Sequence, residues 1–215
     1  MKMSKKLVLV GAGGHAASVL DCIGLQQFDE IALIDIPQNK GKEVLNFSVQ
    51  YSDDDLASLF ANGFTYAFVA VGSILNTDLR HDLSQRLTSI GFTMINVIDP
   101  SAIVSPYAIL SEGIFIGKRV VVNARATIEE GSILNTGAII EHDCVVGPFC
   151  HVSVNATLCG EVTLGSDVHV GAGSVIKQTC HVGSRTVIGI GSVVTRDLPS
   201  NVVAFGNPCK EVRSL

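Results

Sequence analysis

Branched aliphatic residues recur at every sixth position over almost half of the chain. The series runs from Ile98 to Val194 and holds seventeen such anchor residues without a slip of register. A small or slim residue stands four places after most anchors, and these residues are Ala102, Ala108, Ala126, Ser132, Ala138, Cys144, Cys150, Ala156, Ser174, Thr186 and Ser192. A fixed short period of this length predicts a solenoid, in which each unit buries its apolar side by stacking on the next.

The period also predicts the shape of that solenoid. Six is a multiple of the two-residue period of a strand, so every anchor points to the same side. The segments are too short for hairpins, and we expect three hexapeptides to close one triangular coil, with residues eighteen apart stacked roughly 4.8 Å from each other. Many anchors are followed by glycine, which we expect to supply positive φ at the corners. These glycines are Gly117, Gly147, Gly165, Gly171, Gly183 and Gly189.

The residues before the coil alternate between strand-like and helix-like patterns. Strands are predicted over 6–10, 31–34, 65–71 and 92–97, and helices over 14–27 and 53–61. A further helix is indicated by Leu75, Leu79, Leu83 and Leu87 at helical spacing and ends at Gly91. Alternation of this kind predicts a parallel sheet, here with about four strands. We therefore expect an α/β domain over 1–97 and an all-β domain over 98–215.

A glycine loop follows the first predicted strand and opens the first helix. Residues 11–16 are Gly-Ala-Gly-Gly-His-Ala, and Asp35 stands at the end of the second strand. This arrangement is typical of a nucleotide-phosphate site, because glycine lets phosphate approach the backbone and the helix N-terminus attracts negative charge. A carboxylate at Asp35 would then hold ribose or base hydroxyls. Gly72, at the end of the third strand, should lie beside the loop, and Arg80 is either a diphosphate contact or a solvated helix residue.

Three interpretations of the glycine loop remain open from the residues alone. NAD is the usual partner of such a loop, but about four strands provide only one mononucleotide-binding half. A nucleotide-diphosphate sugar fits the small domain better. The third possibility is a tight strand-to-helix turn that binds nothing.

Composition and charge argue against several classes of partner and site. The chain has 215 residues and a net charge of −5, which argues against nucleic acid, and no apolar stretch approaches membrane-spanning length. Six cysteines show no C-x-x-C spacing. Three of them, Cys144, Cys150 and Cys180, take the inward slim position and are predicted to be core residues rather than disulfides or zinc ligands. A cytoplasmic protein is expected.

One outward column of the coil is almost wholly apolar. Its members precede anchors at intervals of eighteen and are Ile103, Val121, Ile139, Thr157, Val175 and Val193. A stripe of this kind is typical of an interface, so we expect an oligomer.

Two histidine positions on the coil are candidates for chemistry. His142 follows the stripe, and the adjacent Asp143 would orient its imidazole and raise its basicity, as a general base requires. His151 and His169 are eighteen apart and stack, but no third ligand suggests a metal. Because His142 and His151 are half a coil apart, they could share a site only across a subunit boundary.

The whole chain resembles the hexapeptide-repeat sugar-nucleotide acetyltransferases that carry an N-terminal Rossmann-like domain. Four segments carry the resemblance, namely 11–15 (GAGGH), 135–144 (NTGAIIEHDC), 149–153 (FCHVS) and 206–210 (GNPCK). The resemblance implies a left-handed parallel β-helix, a homotrimer with active sites between neighbouring subunits, and acetyl-CoA as the donor without a metal. It implies acceptors of two kinds, UDP- or dTDP-linked 4-amino-4,6-dideoxy sugars or, in related enzymes, sialic acid hydroxyls.

The same resemblance implies roles for single residues. His142 matches the catalytic base and Asp143 its acidic neighbour, which is often Glu in the family. Contacts to the nucleotide sugar are implied for Gly13, Gly14, His15, Asp35 and Gly72. Ile36 stands where the family often has a second acid, so local contacts to the substrate should differ there. Acetyl-CoA contacts are implied for His151, Ala172 and Ile190, and we expect backbone amides near Gly160 to stabilise the oxyanion.

The leading hypothesis is therefore direct acetyl transfer to the 4-amino group of a nucleotide-linked sugar. O-acetylation of sialic acid or a related sugar is the alternative within the enzymes. A structural or regulatory coil without catalysis is the alternative outside them, and failure to bind CoA would favour it.

Overall fold

The computed structural model describes residues 4–23 and 27–215. The chain divides into two compact units. The first comprises Met1–Ser73 with Asp78–Val97, and the second comprises Ile74–Thr77 with Ile98–Leu215. Each unit has its own hydrophobic core.

The first unit is a sheet with helices. Its strands are β1 Lys6–Val10, β2 Glu30–Ile34, β3 Glu43–Val44, β4 Phe47–Tyr51, β5 Tyr66–Val69 and β6 Thr93–Met94, and its helices are α1 Gly14–Ile23, α2 Leu56–Ala61 and α3 Asp78–Ile90, with short 3₁₀ turns at Pro37–Asn39 and Asp53–Asp55. The sheet order is β3-β4-β2-β1-β5-β6, and every neighbouring pair is parallel except β3 and β4. Across the part of the chain that is described, no helix is long and apolar enough to cross a membrane.

Several predicted boundaries of the first unit are wrong. The sheet has six strands rather than about four, because the β3–β4 hairpin has little hydrophobic signal of its own. The helix predicted over 14–27 ends at Ile23, residues 24–26 lie outside the described part, and Gln27 is not helical. Leu75 precedes α3 and is 63% exposed, so the helix predicted from the leucine spacing began too early in the chain. The strand predicted over 92–97 is two short strands, β6 and Val97–Ile98.

The second unit is a parallel β-helix, as the hexapeptide period predicts. Each anchor is the second residue of a two-residue strand. These strands, β7 to β23, are Val97–Ile98, Ile103–Val104, Ile109–Leu110, Phe115–Ile116, Val121–Val122, Thr127–Ile128, Ile133–Leu134, Ile139–Ile140, Val145–Val146, His151–Val152, Thr157–Leu158, Thr163–Leu164, His169–Val170, Val175–Ile176, His181–Val182, Val187–Ile188 and Val193–Val194. They form three sheets in which residues eighteen apart pair in parallel. β24 (Val202–Gly206) and β25 (Cys209–Ser214) form an antiparallel hairpin that extends one sheet.

The slim inward residues fill the coil, and their hydroxyl and thiol groups donate to backbone carbonyl oxygens inside it. Cys144 and Cys150 are fully buried and Cys180 is 5% exposed, which confirms that they are core residues. All six cysteines are free thiols. Ser132 Oγ donates to the carbonyl oxygen of Gly147 at 2.9 Å, and Cys150 Sγ makes the same kind of bond fifteen residues along the chain, at 3.0 Å. A polar atom in the core is thus satisfied by the next coil.

The corners differ from the prediction. Positive φ falls on the third residue after an anchor, not on the first, and most of these residues carry side chains. They are Gly113, Arg119, Arg125, Gly131, Gly137, Asp143, Phe149, Asn155, Glu161, Asp167, Gly173, Thr179, Arg185 and Gly191. A side chain in this left-handed region costs about 1–2 kcal/mol. The amides of such corner residues donate to the preceding coil, as from Asp143 to Ala124 at 3.1 Å, and these bonds hold the corner in place.

The glycines that follow anchors serve close packing instead. A Cβ added to Gly147 would lie 2.6 Å from the carbonyl oxygen and 2.7 Å from the carbonyl carbon of Gly165 in the next coil. Both atoms belong to the backbone, so only a separation of the coils could admit the methyl group. Glycine at this position therefore sets how closely neighbouring coils approach.

We predict that Gly147→Ala lowers the free energy of unfolding of the coil by about 1–3 kcal/mol, the usual cost of overpacking. The matched control is Asn123→Ala, which changes the same corner position in another coil but adds no atoms. Urea unfolding followed by circular dichroism measures the difference. Equal midpoints for Gly147→Ala and wild type would contradict the packing role.

Candidate active site

The glycine loop of the first unit begins where β1 ends. Gly11 has φ +110°, and a Cβ there would lie 3.0 Å from the carbonyl oxygen of Ala70, so the loop depends on glycine at this turn. Gly13 and Gly14 have open space where their side chains would be. Helix α1 starts at Gly14, so its N-terminal amides are accessible beside an uncovered stretch of backbone. Such a loop can accept a phosphate group.

The sheet order places this loop at a topological switch point. β1 lies between β2 and β5, and the chain connections on its two sides run in opposite directions along the sheet. Ligands of open α/β sheets bind in the crevice that forms there, at the carboxyl ends of the strands. Gly72, after β5, lies beside His15, since its missing Cβ would be 3.7 Å from the His15 Cβ. The structure thus brings His15 and Gly72 together as predicted.

Asp35 organises the loop directly. Its carboxylate accepts hydrogen bonds from the amide of Ala12 at 2.8 Å and from the amide of Ile36 at 2.7 Å. The predicted contact to sugar hydroxyls would use the remaining lone pairs of the same oxygens. Ile36 is 50% exposed beside it. Asp35 therefore has a loop-forming role that the sequence did not indicate.

Arg80 differs from one of its two predicted roles. It lies in α3 and is 3% exposed, so it is not a solvated helix residue. A buried guanidinium needs hydrogen-bond partners. Its predicted contact to a diphosphate remains a prediction.

In the second unit, His142 and Asp143 form a dyad at the corner after β14. His142 Nδ1 and Asp143 Oδ2 are 2.7 Å apart, and the His142 side chain is 53% exposed. An ionised carboxylate can only accept, so Nδ1 carries the proton and Nε2 keeps its lone pair. Nε2 is then the atom able to take a proton from a bound nucleophile.

Arg125 also contacts Asp143 at this corner, and the sequence analysis did not identify it as a site residue. Its Nε and Nη2 donate to the two carboxylate oxygens of Asp143, at 2.5 and 2.8 Å. The Arg125 guanidinium first, and the His142 ring second, hold the pKa of Asp143 well below its usual range. The spacing of eighteen between Arg125 and Asp143 was available as a signal, because it places both residues on one column of the coil.

Gly160 provides the space that the imidazole occupies. It stands one coil above His142, and a Cβ there would lie 2.7 Å from Cε1 and 2.8 Å from Nε2 of the ring. The ring therefore packs against the bare backbone of Gly160. Its predicted oxyanion-binding amide stays a prediction.

Cys144 is unsuited to act as a nucleophile. It is fully buried, and burial raises the pKa of its thiol to about 11. Its Sγ donates to the carbonyl oxygen of Cys159 at 3.1 Å. These contacts favour direct transfer over a thioester on the enzyme.

The residues predicted to contact acetyl-CoA lie on another face. His151 and His169 are paired in neighbouring strands, with ring centroids 5.0 Å apart. Ala172 and Ile190 follow β19 and β22 of the same sheet, and the carbonyl oxygen of Ala172 accepts from the amide of Gly191 at 2.9 Å. Ile190 is 82% exposed. Nowhere in residues 4–23 and 27–215 do three or more His, Cys, Asp or Glu side chains form a possible metal site.

The apolar stripe on the coil is accessible in the single chain. Its end member Ile103 is 68% exposed, and Val175 is 38% exposed. All six members pair in one sheet, as the spacing predicts. The stripe therefore lies along one face of the coil, and the oligomer contact stays a prediction.

The combination of an α/β unit and a hexapeptide β-helix is similar to that of known sugar acetyltransferases. The model of the PglD N-terminal domain matches residues 6–87. A crystal structure of PerB from Caulobacter crescentus, in complex with CoA and GDP-perosamine, is 35% identical, covers 97% of both chains and has a TM-score of 0.90. The acetyltransferase domain of PglB from Neisseria gonorrhoeae is 32% identical, covers 97% of this chain and 100% of that one, and has a TM-score of 0.90.

The chain belongs to the family of hexapeptide-repeat sugar-nucleotide acetyltransferases with an N-terminal Rossmann-like domain. Curated relatives match shorter parts of the chain. The acyl-[acyl-carrier-protein]–UDP-N-acetylglucosamine O-acyltransferase of Aliivibrio fischeri is 48% identical over 69 residues, which are 32% of this chain. This chain spans 26% of the length of that relative.

The half-buried His169 side chain leads to a prediction about the pH dependence of stability. Burial first, and the neighbouring His151 second, lower the pKa of His169 from 6.5 to about 4. Between these values the unfolded chain binds a proton that the folded chain does not, so stability falls as pH drops through this window. The loss amounts to at most about 3 kcal/mol.

We expect His169→Gln to lose less stability than wild type between pH 7.5 and pH 4.5, by about 1–3 kcal/mol. Urea unfolding at both pH values measures it. His181→Gln is the control, because His181 is 66% exposed. A wild-type pH slope in His169→Gln would show that His169 protonates freely in the folded chain.

Proposed function

We propose that this protein transfers acetyl from acetyl-CoA to the 4-amino group of a nucleotide-linked 4-amino-4,6-dideoxy sugar, with His142 as general base. The observation that carries the proposal is the His142–Asp143 dyad, whose Nδ1 is held by a carboxylate at 2.7 Å while the side chain stays half-exposed. PerB, which is similar over 97% of both chains, binds CoA and GDP-perosamine. Two further structures of that enzyme replace one histidine with Asn or Ala.

The reaction follows from the atoms present. The neutral amine attacks the thioester carbon, and His142 Nε2 takes the amine proton as the new N–C bond forms. The tetrahedral oxyanion needs a donor, and the backbone beside Gly160 is next to the ring. Collapse of the intermediate breaks the C–S bond, and the imidazolium returns the proton to the CoA thiolate. No acyl-enzyme is required, which agrees with the buried thiol of Cys144.

The binding of both substrates is part of the proposal. The first unit would hold the nucleotide diphosphate at Gly13, Gly14 and His15, with Asp35 and Gly72 alongside. Acetyl-CoA would lie along the face that carries His151, Ala172 and Ile190. The PglB acetyltransferase domain, 33% identical to this chain, has been crystallised with acetyl coenzyme A. We propose a homotrimer formed through the apolar stripe, working in the cytoplasm, so that one subunit supplies the dyad and its neighbour the acetyl-CoA face.

An acetyl-CoA turnover assay with thiol detection tests the reaction. Acceptors are GDP-, UDP- and dTDP-linked 4-amino-4,6-dideoxy sugars beside free sialic acid. We expect thiol release only with an amino-sugar nucleotide, and His142→Gln to slow it by about 10²–10⁴-fold with the assembly unchanged. Release with sialic acid alone would turn the proposal to O-acetylation. Near-normal turnover of His142→Gln would remove the histidine from the mechanism.

Gly160→Ala probes the position of the base. A methyl group there would meet the His142 ring, which can swing aside without moving the backbone. Turnover should therefore fall at least about tenfold, which is part of the general-base contribution. The free energy of unfolding should stay within about 0.5 kcal/mol of wild type. The opposite pattern, in which stability falls and turnover is kept, would show that the ring does not work from this position.

A further inference from the structure

The dyad has a third member whose role goes beyond the general base itself. Arg125 lies one coil below Asp143 and donates hydrogen bonds to both of its carboxylate oxygens. Asp143 Oδ2 is shared, because it also accepts from His142 Nδ1 at 2.7 Å. The three side chains thus form one line of hydrogen bonds across two coils.

We infer that Arg125 is a positioning residue for the general base, fixing Asp143 so that His142 keeps its proton on Nδ1 and presents Nε2 to the acceptor amine. This inference rests on the proposed function for its catalytic meaning. The backbone shows why an external clamp is needed. Asp143 is a corner residue with φ +59°, its side chain is 31% exposed, and its carboxylate oxygens are held by hydrogen bonds from His142 and Arg125. A planar guanidinium fork holds a carboxylate in one plane, whereas a single contact would let it rotate.

The test compares Arg125→Met and Arg125→Lys with Arg119→Met. Arg119 occupies the same position of its own hexapeptide, with φ +56°, so it reports the cost of changing a corner arginine in general. The plateau kcat of Arg125→Met should fall about tenfold, part of the general-base contribution.

The lysine variant separates charge from geometry. Arg125→Lys keeps the cation but not the fork, so its plateau kcat should also fall. Arg119→Met should keep the wild-type plateau. An Arg125→Met protein with the wild-type plateau kcat would overturn the inference, and so would equal losses in Arg125→Met and Arg119→Met.

Nitrogen NMR of the imidazole gives a readout that needs no substrate. In the wild-type protein the His142 resonances, assigned by their loss in His142→Gln, should show the Nδ1–H tautomer. Arg125→Met should show a mixture of the two neutral tautomers. A wild type that transfers acetyl to none of the acceptors would refute the proposed function and leave this NMR result decisive for Arg125. An Arg125→Met protein with the wild-type tautomer would refute the positioning role alone.

Discussion

The stacking of coils eighteen residues long is the constraint on which the second unit depends. Away from the two ends, each two-residue strand pairs in parallel with the strands eighteen residues before and after it. Each coil therefore contributes one strand to each of three sheets. The close spacing leaves no room for a side chain at Gly147, and it brings inward donors within reach of the carbonyl groups fifteen residues ahead. A strand of two residues has little stability alone, and its backbone bonds are made only when its neighbours are in register.

The proposed active corner is a product of the same stacking. Arg125, the His142–Asp143 pair and Gly160 belong to three consecutive coils. Because the coils stack in register, the stacking sets the orientation of these residues relative to one another. The dyad can therefore be half-exposed and still be held in one geometry.

Periodicity predicted the coil well, because every anchor repeats one environment and the signal accumulates over seventeen repeats. The first unit was predicted less well. The β3–β4 hairpin lies at the sheet edge, where burial is partial and the hydrophobic pattern is weak. Leu75 shares the spacing of the helical leucines but lies outside the helix, since spacing alone cannot locate the first turn.

Within the candidate site, single residues could be proposed but their partners could not. His142 and Asp143 are adjacent in sequence, so their contact required no knowledge of the fold. Arg125 required the column to be followed by eighteen residues, and the bonds of Asp35 to the glycine loop depend on two strands lying side by side. The corner conformation at Asp143 could not be predicted from residue type, because inter-coil bonds there override the preference for glycine.

The column arrangement also restricts how such a chain can change in length. Inserting six residues would keep every anchor pointing inward, and the core would accept the change. All later residues, however, would move one face around the triangle, so an insertion between Arg125 and Asp143 would separate them although each kept its own local environment. Only additions or deletions of eighteen leave the columns intact. The hydrophobic core thus tolerates changes by one hexapeptide, whereas the chemistry at the corners tolerates changes only by a whole coil.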